Sequence, residues 1–424
     1  MSTTDFDAID YLKPGPYYQD PYPYFDYLRQ RAPVWREPHH GVVMVTGYDE
    51  CVEVYRDSTT YSNAALMAGP FARWPVPLEG ADISPIIERY RDQLPLSDQL
   101  VTFDPPKHTA HRALLARLIT PKRLAENEDF LWRLADRQID EFVQRGRREF
   151  IGDYANPFTL LGIADLLGVP EQRHNEFRHA LQHKEAAQAD KDRSRVEHKP
   201  LEYLYKRFTE FIEDRRAHPQ SDVLTSLATA TFPDGTLPSV HDVMVLASGL
   251  FAAGQETTAR LLGFMFQHIG ERPELEAQLR ADGARIPRFV EECLRLGTPI
   301  QADFRLARVA TSLGGVEIAP GTSVMVIPAA ANRDPRRFEN PHEIWLDRPN
   351  ARQHLAFASG IHSCAGAPLA RTEARISTER LFARMRDFRI SEEKHGPADA
   401  RRYDFPKTFI LRGHNALHIE FTAT

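Results

Sequence analysis

Cysteine is scarce in this chain of 424 residues, which carries three, at positions 51, 293 and 364. Three thiols exclude a disulfide framework of any consequence and a closed zinc site of four thiolates, and none has a close neighbour with which to form a redox pair. Such usage suits a reducing compartment. Long apolar runs are also missing: the longest, Val243 to Gly254, is too short to span a bilayer, and the opening Met-Ser-Thr-Thr-Asp lacks the basic and apolar regions of a secretory signal. A cytoplasmic monomer with no membrane attachment is expected. Neither sign of charge dominates, 53 basic residues standing against 59 acidic for a net −6, which argues against nucleic acid as a partner. Repeats, low-complexity tracts and linker-like stretches are absent as well. The chain is read as a single domain over residues 1–424, with 42% hydrophobic residues to build a core, although length alone would allow two or three domains.

What is present concentrates in one stretch. Phe357-Ala358-Ser359-Gly360-Ile361-His362-Ser363-Cys364-Ala365-Gly366 sets a cysteine in a loop of small residues, where a bulky partner can approach the sulfur against bare backbone. Ala367-Pro368-Leu369-Ala370-Arg371 reads as a helix opening with Pro368 in its first turn, which seats Cys364 at a helix N-terminus. Free N–H groups and the positive dipole end there favour a thiolate over a thiol. An inert buried thiol is the plain alternative; a single thiolate ligand to a cofactor is the other.

Along the chain, a first helix starts near Pro23 and ends before Pro33, Gly41–Thr46 reads as a strand, and Tyr48–Asp57 reads as a helix with Cys51 in its core face. Periodicity fails from Tyr61 to Asp104, where Phe71, Trp74 and Leu78 crowd together with Arg73; long irregular loops of this kind are often functional. Asp104-Pro105-Pro106 opens a helix on which His108 and Arg112 share a face. Residues 121–232 read as mostly helical, with breaks at Asn156-Pro157, Gly168-Val169-Pro170 and His218-Pro219. The mixed-charge segment His183 to Lys199 is expected to be exposed. Ser239 and Asp242 form a capping pair for a long helix reaching about Ile269. In its middle, Gly254 costs about 1 kcal/mol relative to alanine and the hydroxyls of Thr257 and Thr258 compete for carbonyls, a weakness that needs a reason. A further helix around Ile286–Arg295 ends at Gly297, with Cys293 as packing; Phe304–Ala307, Val316–Ile318 and Ser323–Ile327 read as strands.

Phe357, Gly360, His362, Cys364 and Gly366 together resemble the haem-binding loop of the cytochrome P-450 superfamily, with Ala358 where most members carry glycine. Three other stretches match that family in its order: His108 with Arg112, the run Ala253-Gly254-Gln255-Glu256-Thr257, and Glu292 with Arg295 and a partner arginine, Arg348. The resemblance spans nearly the whole chain. It implies a mainly α fold with small β-sheets, in which haem b (iron protoporphyrin IX) lies between a long central helix and the cysteine loop. Cys364 would then be the axial ligand to the haem iron, with Phe357 shielding its sulfur and Gly360 and Gly366 shaping the loop. His108, Arg112, Arg305 and His354 would hold the haem propionates, with Arg308 a competitor for Arg305. Ala253 and Gly254 would lie over the distal face, while Glu256 and Thr257 relay protons. Phe71, Trp74, Leu78, Ala253, Phe409 and Ile410 would line the substrate pocket, and Arg73 leaves room for a carboxylate. Glu292, Arg295 and Arg348 would be structural.

The activity so implied is that of a haem-thiolate monooxygenase, inserting one oxygen atom of O2 into a small or medium hydrophobic compound: a terpenoid, an aromatic or a steroid-like molecule. Electrons would come from a separate iron–sulfur ferredoxin with its reductase, docking on a basic face for which Arg112, Arg371 and Arg375 are candidates. Two rivals share much of the pattern: a peroxide-driven peroxygenase, disfavoured by the intact Glu256-Thr257 pair, and a non-catalytic haem-bearing binding or sensing protein. A cysteine hydrolase would account for none of the other motifs.

Overall fold

The computed structural model describes residues 6–177 and 199–424; the charged stretch from His183 onward lies outside the described residues up to Lys199. Helices dominate. In chain order, those that place the site are α1 (Tyr48–Arg56), α2 (Lys107–Ala116), α3 (Pro121–Asp140), α4 (Asn156–Leu166), α5 (Val240–Glu271), α6 (Ile286–Gly297) and α7 (Ala367–Arg384). Helix α5 begins as its sequence dictates: the Ser239 hydroxyl accepts from the Asp242 N–H at 3.0 Å, and the Asp242 carboxylate accepts from the Ser239 N–H at 3.1 Å, a complete capping box. Cys51 and Cys293 are fully buried in apolar surroundings, and burial raises both thiols above their ordinary range.

Five short strands make the larger sheet: β1 (Val34–Arg36), β2 (Val43–Val45), β3 (Tyr61–Ser62), β4 (Asp303–Ala307) and β5 (Ser323–Val326), in the order β1-β2-β5-β4-β3. The β2–β5 pairing is parallel, with Val43 opposite Val324; its neighbours are antiparallel, and Arg305 on β4 lies opposite Val324. A three-stranded antiparallel sheet joins Arg147–Glu149, His418–Ala423 and Met385–Ile390.

Two expectations about the chain's order need correction. Asn156-Pro157 does not interrupt a helix: a π-turn over Ile151–Ala155 runs straight into α4, with Pro157 in its first turn, where a missing N–H costs nothing. The irregular stretch from Tyr61 to Asp104 contains a helix, Ser84–Tyr90, too short for periodicity to reveal.

The main core gathers around α5, packed by α3, α4, α6 and α7. In the middle of α6, Glu292 sits with both Arg295 and Arg348, and all three side chains are buried. Arg295 Nε donates to Glu292 Oε1 at 2.7 Å and Arg348 Nε to the same oxygen at 2.9 Å. Arg295 also donates to the carbonyls of Asn332, Pro341 and Glu343, and the Trp345 N–H donates to Glu292 Oε2 at 2.9 Å. One carboxylate therefore fixes the irregular segment 332–348 to the helix. Removing it strands two buried guanidiniums, so Glu292→Gln is expected to lower unfolding free energy by ~3–5 kcal/mol in urea titration. An unchanged denaturation midpoint would refute this role.

Candidate active site

The loop before α7 is shaped by three backbone constraints. The Cys364 N–H donates to Phe357 O at 2.9 Å, closing the loop on itself. Gly360 has φ +73°, and a Cβ there would come within 2.4 Å of Tyr55 O on α1, so only glycine fits. Ala358 is also left-handed, at φ +56°. A methyl group in that region costs about 1–2 kcal/mol, which explains why glycine would be at ease there.

Cys364 is solvent-open although it lies deep among neighbouring atoms. The two descriptions agree when the sulfur borders an internal chamber rather than the outer surface. The expectation that the helix terminus favours a thiolate is only half met. Burial pushes the thiol up, and the N–H groups of Gly366 and Ala367 with the charges of Arg112 and Arg371 oppose it without prevailing. A metal cation at the sulfur is what would reverse the balance, since a coordinating thiol is deprotonated outright.

Helix α5 opens at one turn. It is buried from Val243 to Ser248 and again across Thr258–Ala259, yet Ala252, Ala253 and Glu256 between them are exposed. Thr257 Oγ1 donates to Ala253 O at 3.0 Å, so its proton is held within the helix and its lone pairs remain to accept. Glu256 is ion-paired with Arg260 one turn on, and Arg260 also donates to Gly413 O at 3.2 Å. Gly254 does not face the chamber as expected. A Cβ there would lie 3.3 Å from Ile163 Cγ1, so this glycine lets α4 approach closely. Thr159 on α4 donates to Gln255 O at 2.8 Å, tying the two helices at the weak turn.

A cluster of cationic and imidazole groups forms beside the cysteine loop. The rings of His108 on α2 and His362 in the loop lie 4.1 Å apart. Neither ring nitrogen of His108 has a hydrogen-bond partner, and neither does Nε2 of His362, although all three are buried. Burial lowers both imidazoles; Arg112 adds to this for His108, while His108, Arg305 and Arg112 help bring His362 to about 2, so both rings are neutral. Arg112 Nη2 donates to Ser363 O at 2.6 Å and Arg305 to Asp303 at 2.7 Å. Arg308, the competitor, pairs with Asp104 at 2.7 Å.

Haem, the group that the resemblance implies, carries two carboxylates and an iron. The residues fit it: orphaned imidazole nitrogens beside two arginines suit carboxylates, and the open sulfur of Cys364 suits the metal. His362 is the member that residue-by-residue reading did not place, although it stands two residues before Cys364 inside the loop motif. His354, assigned to the same cradle, is elsewhere. Its Nε2 lies 3.1 Å from Glu291 Oε2 and its Nδ1 accepts from the Ala356 N–H at 3.2 Å, leaving no free nitrogen.

Other assignments also move. Phe71 is 53% exposed, its ring edge-on to His40 at the surface. Trp74 and Leu78 pack on a small satellite core with Ile83 and Ile87. Phe409 and Ile410 belong to an aromatic cluster with Tyr18 and Phe304. Ala253, the remaining side chain expected in a substrate pocket, is exposed on the open turn of α5. The basic docking face is likewise neutralised: Arg371 pairs with Glu291 at 2.6 Å, and Arg375 pairs with Glu128 and Glu379.

Comparisons with known proteins place the fold and the family. The family model "Cytochrome P450" matches residues 186–402. Cytochrome P-450 109 of Bacillus spizizenii is 31% identical over 86% of this chain and 84% of its own length. Among solved structures, Mycobacterium marinum cytochrome P-450 CYP150A6 in its substrate-free form is 51% identical, with TM-score 0.94 over 99% of this chain and 100% of that one. CYP109E1 from Bacillus megaterium in complex with corticosterone is 25% identical, with TM-score 0.78 over 95% and 98%.

Two measurements test the loop. Ala358→Gly is expected to raise stability by about 1 kcal/mol in thermal unfolding, whereas no gain would mean that the left-handed turn carries no strain. Glu291 has its pKa lowered from 4.5 to about 2, where burial would raise it, by bonds from His354 and Arg371. A depressed carboxyl contributes stability above its unfolded pKa and loses it as pH falls through the folded one. Glu291→Gln is therefore expected to cost on the order of 3 kcal/mol at pH 7. The gap from the parent should narrow as pH drops below 4.5, and a pH-independent gap would reject the ion-pair account.

Proposed function

The chain belongs to the cytochrome P-450 family and is a haem-thiolate monooxygenase; from that premise we propose that it hydroxylates a small or medium hydrophobic molecule, of terpenoid, aromatic or steroid-like type. The observation that carries the reading is the juxtaposition of the open Cys364 sulfur with the unsatisfied donors of His108 and His362. Haem b bound there would supply O2 binding and activation, which no side chain provides. Cys364 would hold the iron. His108, His362, Arg112 and Arg305 would hold the propionates, the arginines by charge and the neutral imidazoles by one N–H each.

On the other side, the exposed turn of α5 presents the methyl groups of Ala252 and Ala253 to an apolar substrate. Glu256, exposed and one residue before Thr257, takes protons from water and passes them toward the Thr257 hydroxyl. That hydroxyl, its own proton given to Ala253 O, accepts a donor and orients it in the chamber. Arg260 holds the Glu256 carboxylate in place between deliveries. The corticosterone complex of the Bacillus megaterium relative supports the steroid-like end of the substrate range. Electrons reach the site from a separate iron–sulfur ferredoxin and its reductase, and the protein works in the cytoplasm.

Thr257→Ala should keep haem and substrate binding while diverting reducing equivalents to peroxide. Unchanged coupling between reductant consumed and product formed would remove Thr257 from proton delivery. Cys364→Ser should abolish the thiolate type of carbonmonoxy spectrum, and its persistence would reject the ligand.

A further inference from the structure

A second cavity, of about 280 Å3, lies further along the same stripe of α5, where Arg260, Leu261, Phe264 and Gln267 face the turn after α6 and the C-terminal segment around Arg412. From Thr257 to Phe264 is seven residues, about 10 Å along the helix axis. Its walls are aromatic. Phe264, Tyr22, Tyr403 and Phe405 line it, and His414 packs beside Tyr403 and Phe405, its ring centroid 5.0 Å from each.

One guanidinium on its wall has no ion pair among the described residues. Arg260 is paired with Glu256, whereas the Arg412 side chain donates to the carbonyls of Tyr18 and Gln19 and stacks over Phe405 at 4.1 Å and Tyr22 at 5.3 Å. Arg333, over the other part of Tyr22 at 3.7 Å, donates to Leu296 O and His342 and forms no ion pair among the described residues. The single acid on the wall, Asp20, is solvent-exposed. Two neighbouring groups register this field. Burial would raise the Tyr22 phenol, yet Arg333 and Arg412 bring it below its ordinary value. His414, 2% exposed, is lowered to about 3 by burial with Arg412 and Arg260 assisting; its Nε2 meets Gln267 Oε1 at 2.9 Å and its Nδ1 has no partner.

We propose that this cavity binds a small planar aromatic carboxylate, its ring between the aromatic walls and its carboxylate on Arg412. The fit follows from three properties together. The volume suits one substituted ring, given that a cavity of about 150 Å3 takes benzene. The side chains offer faces and edges for stacking. The uncompensated guanidinium, desolvated on two aromatic faces, gains most from an anion that it can hold with two N–H groups. A neutral ligand of the same shape leaves that charge unanswered.

Binding of benzoate and of benzamide to the haem-loaded protein, each measured by calorimetry with and without saturating imidazole on the haem, tests the site without any turnover. Benzoate is expected to bind, benzamide at least about tenfold more weakly, and imidazole to leave benzoate binding unchanged. Arg412→Gln should lose benzoate affinity by a similar factor while keeping its Soret spectrum and melting temperature, and Arg412→Lys should retain part of it. Equal binding of the two probes by the parent protein, or displacement of benzoate by imidazole, would overturn the site. So would an Arg412→Gln protein that is folded and binds benzoate undiminished.

Discussion

Two adjacent carboxylates on α6 set the geometry on which the site depends. Successive residues of a helix point about 100° apart, so Glu291 and Glu292 reach different parts of the molecule from one turn. Glu292 takes Arg295 and Arg348 and with them the segment 332–348. Glu291 takes Arg371 from α7 and His354 from just ahead of the cysteine loop. The loop is thus clamped at both ends, His354 before it and Arg371 after it, to a helix that is itself buried among its neighbours. Arg371 adds a contact with the loop's first side chain, its guanidinium lying 4.8 Å from the Phe357 ring. Each partner alone is a poor net stabiliser, since burying charge costs about what pairing returns. What the arrangement supplies is a fixed position for Cys364.

Beside the cysteine loop, burial is the main constraint. Arg112, Arg305, His108 and His362 converge from α2, β4 and the loop; burial lowers both imidazoles most, and the neighbouring charges add to it. The two arginines have protein acceptors, in Ser363 O and Asp303, but the buried nitrogens of His108 and His362 Nε2 have none, and unpartnered buried groups of that kind are retained where something else brings the partner. The same reasoning distinguishes the cavity at Arg412, where stacked guanidiniums again outnumber acids, from the many surface arginines of this chain that are paired along their own helices.

Much of this was legible in the sequence. Ser239 with Asp242 announced the start of the central helix, the Cys364 loop announced a sulfur open to approach, and the spacing of Glu292 and Arg295 put both on one face. The misplacements share a cause. Phe71, Trp74, Phe409 and His354 were assigned by position along the chain, but whether an aromatic ring or an imidazole lines a chamber or fills a core depends on which distant element packs against it. His354 meets Glu291, 63 residues away. Gly254 shows the same limit from the other side: its cost to the helix was visible, while its reason, the approach of Ile163, was not.

Sequence alone determined the local matters: where the central helix begins, which loop can bring bare backbone to a sulfur, and which acid and arginine share a helix face for a buried ion pair. These depend on neighbours within a few positions, and a linear reading carries them. Tertiary structure decided the rest. It set His362 beside His108 and His354 on Glu291, turned Gly254 toward α4, put Ala358 in a left-handed turn and left Arg412 without an ion pair among the described residues. Each of those outcomes depends on burial and on charges brought together from distant parts of the chain, and desolvation, the largest force on the site's titrating groups, exists only once the chain has packed.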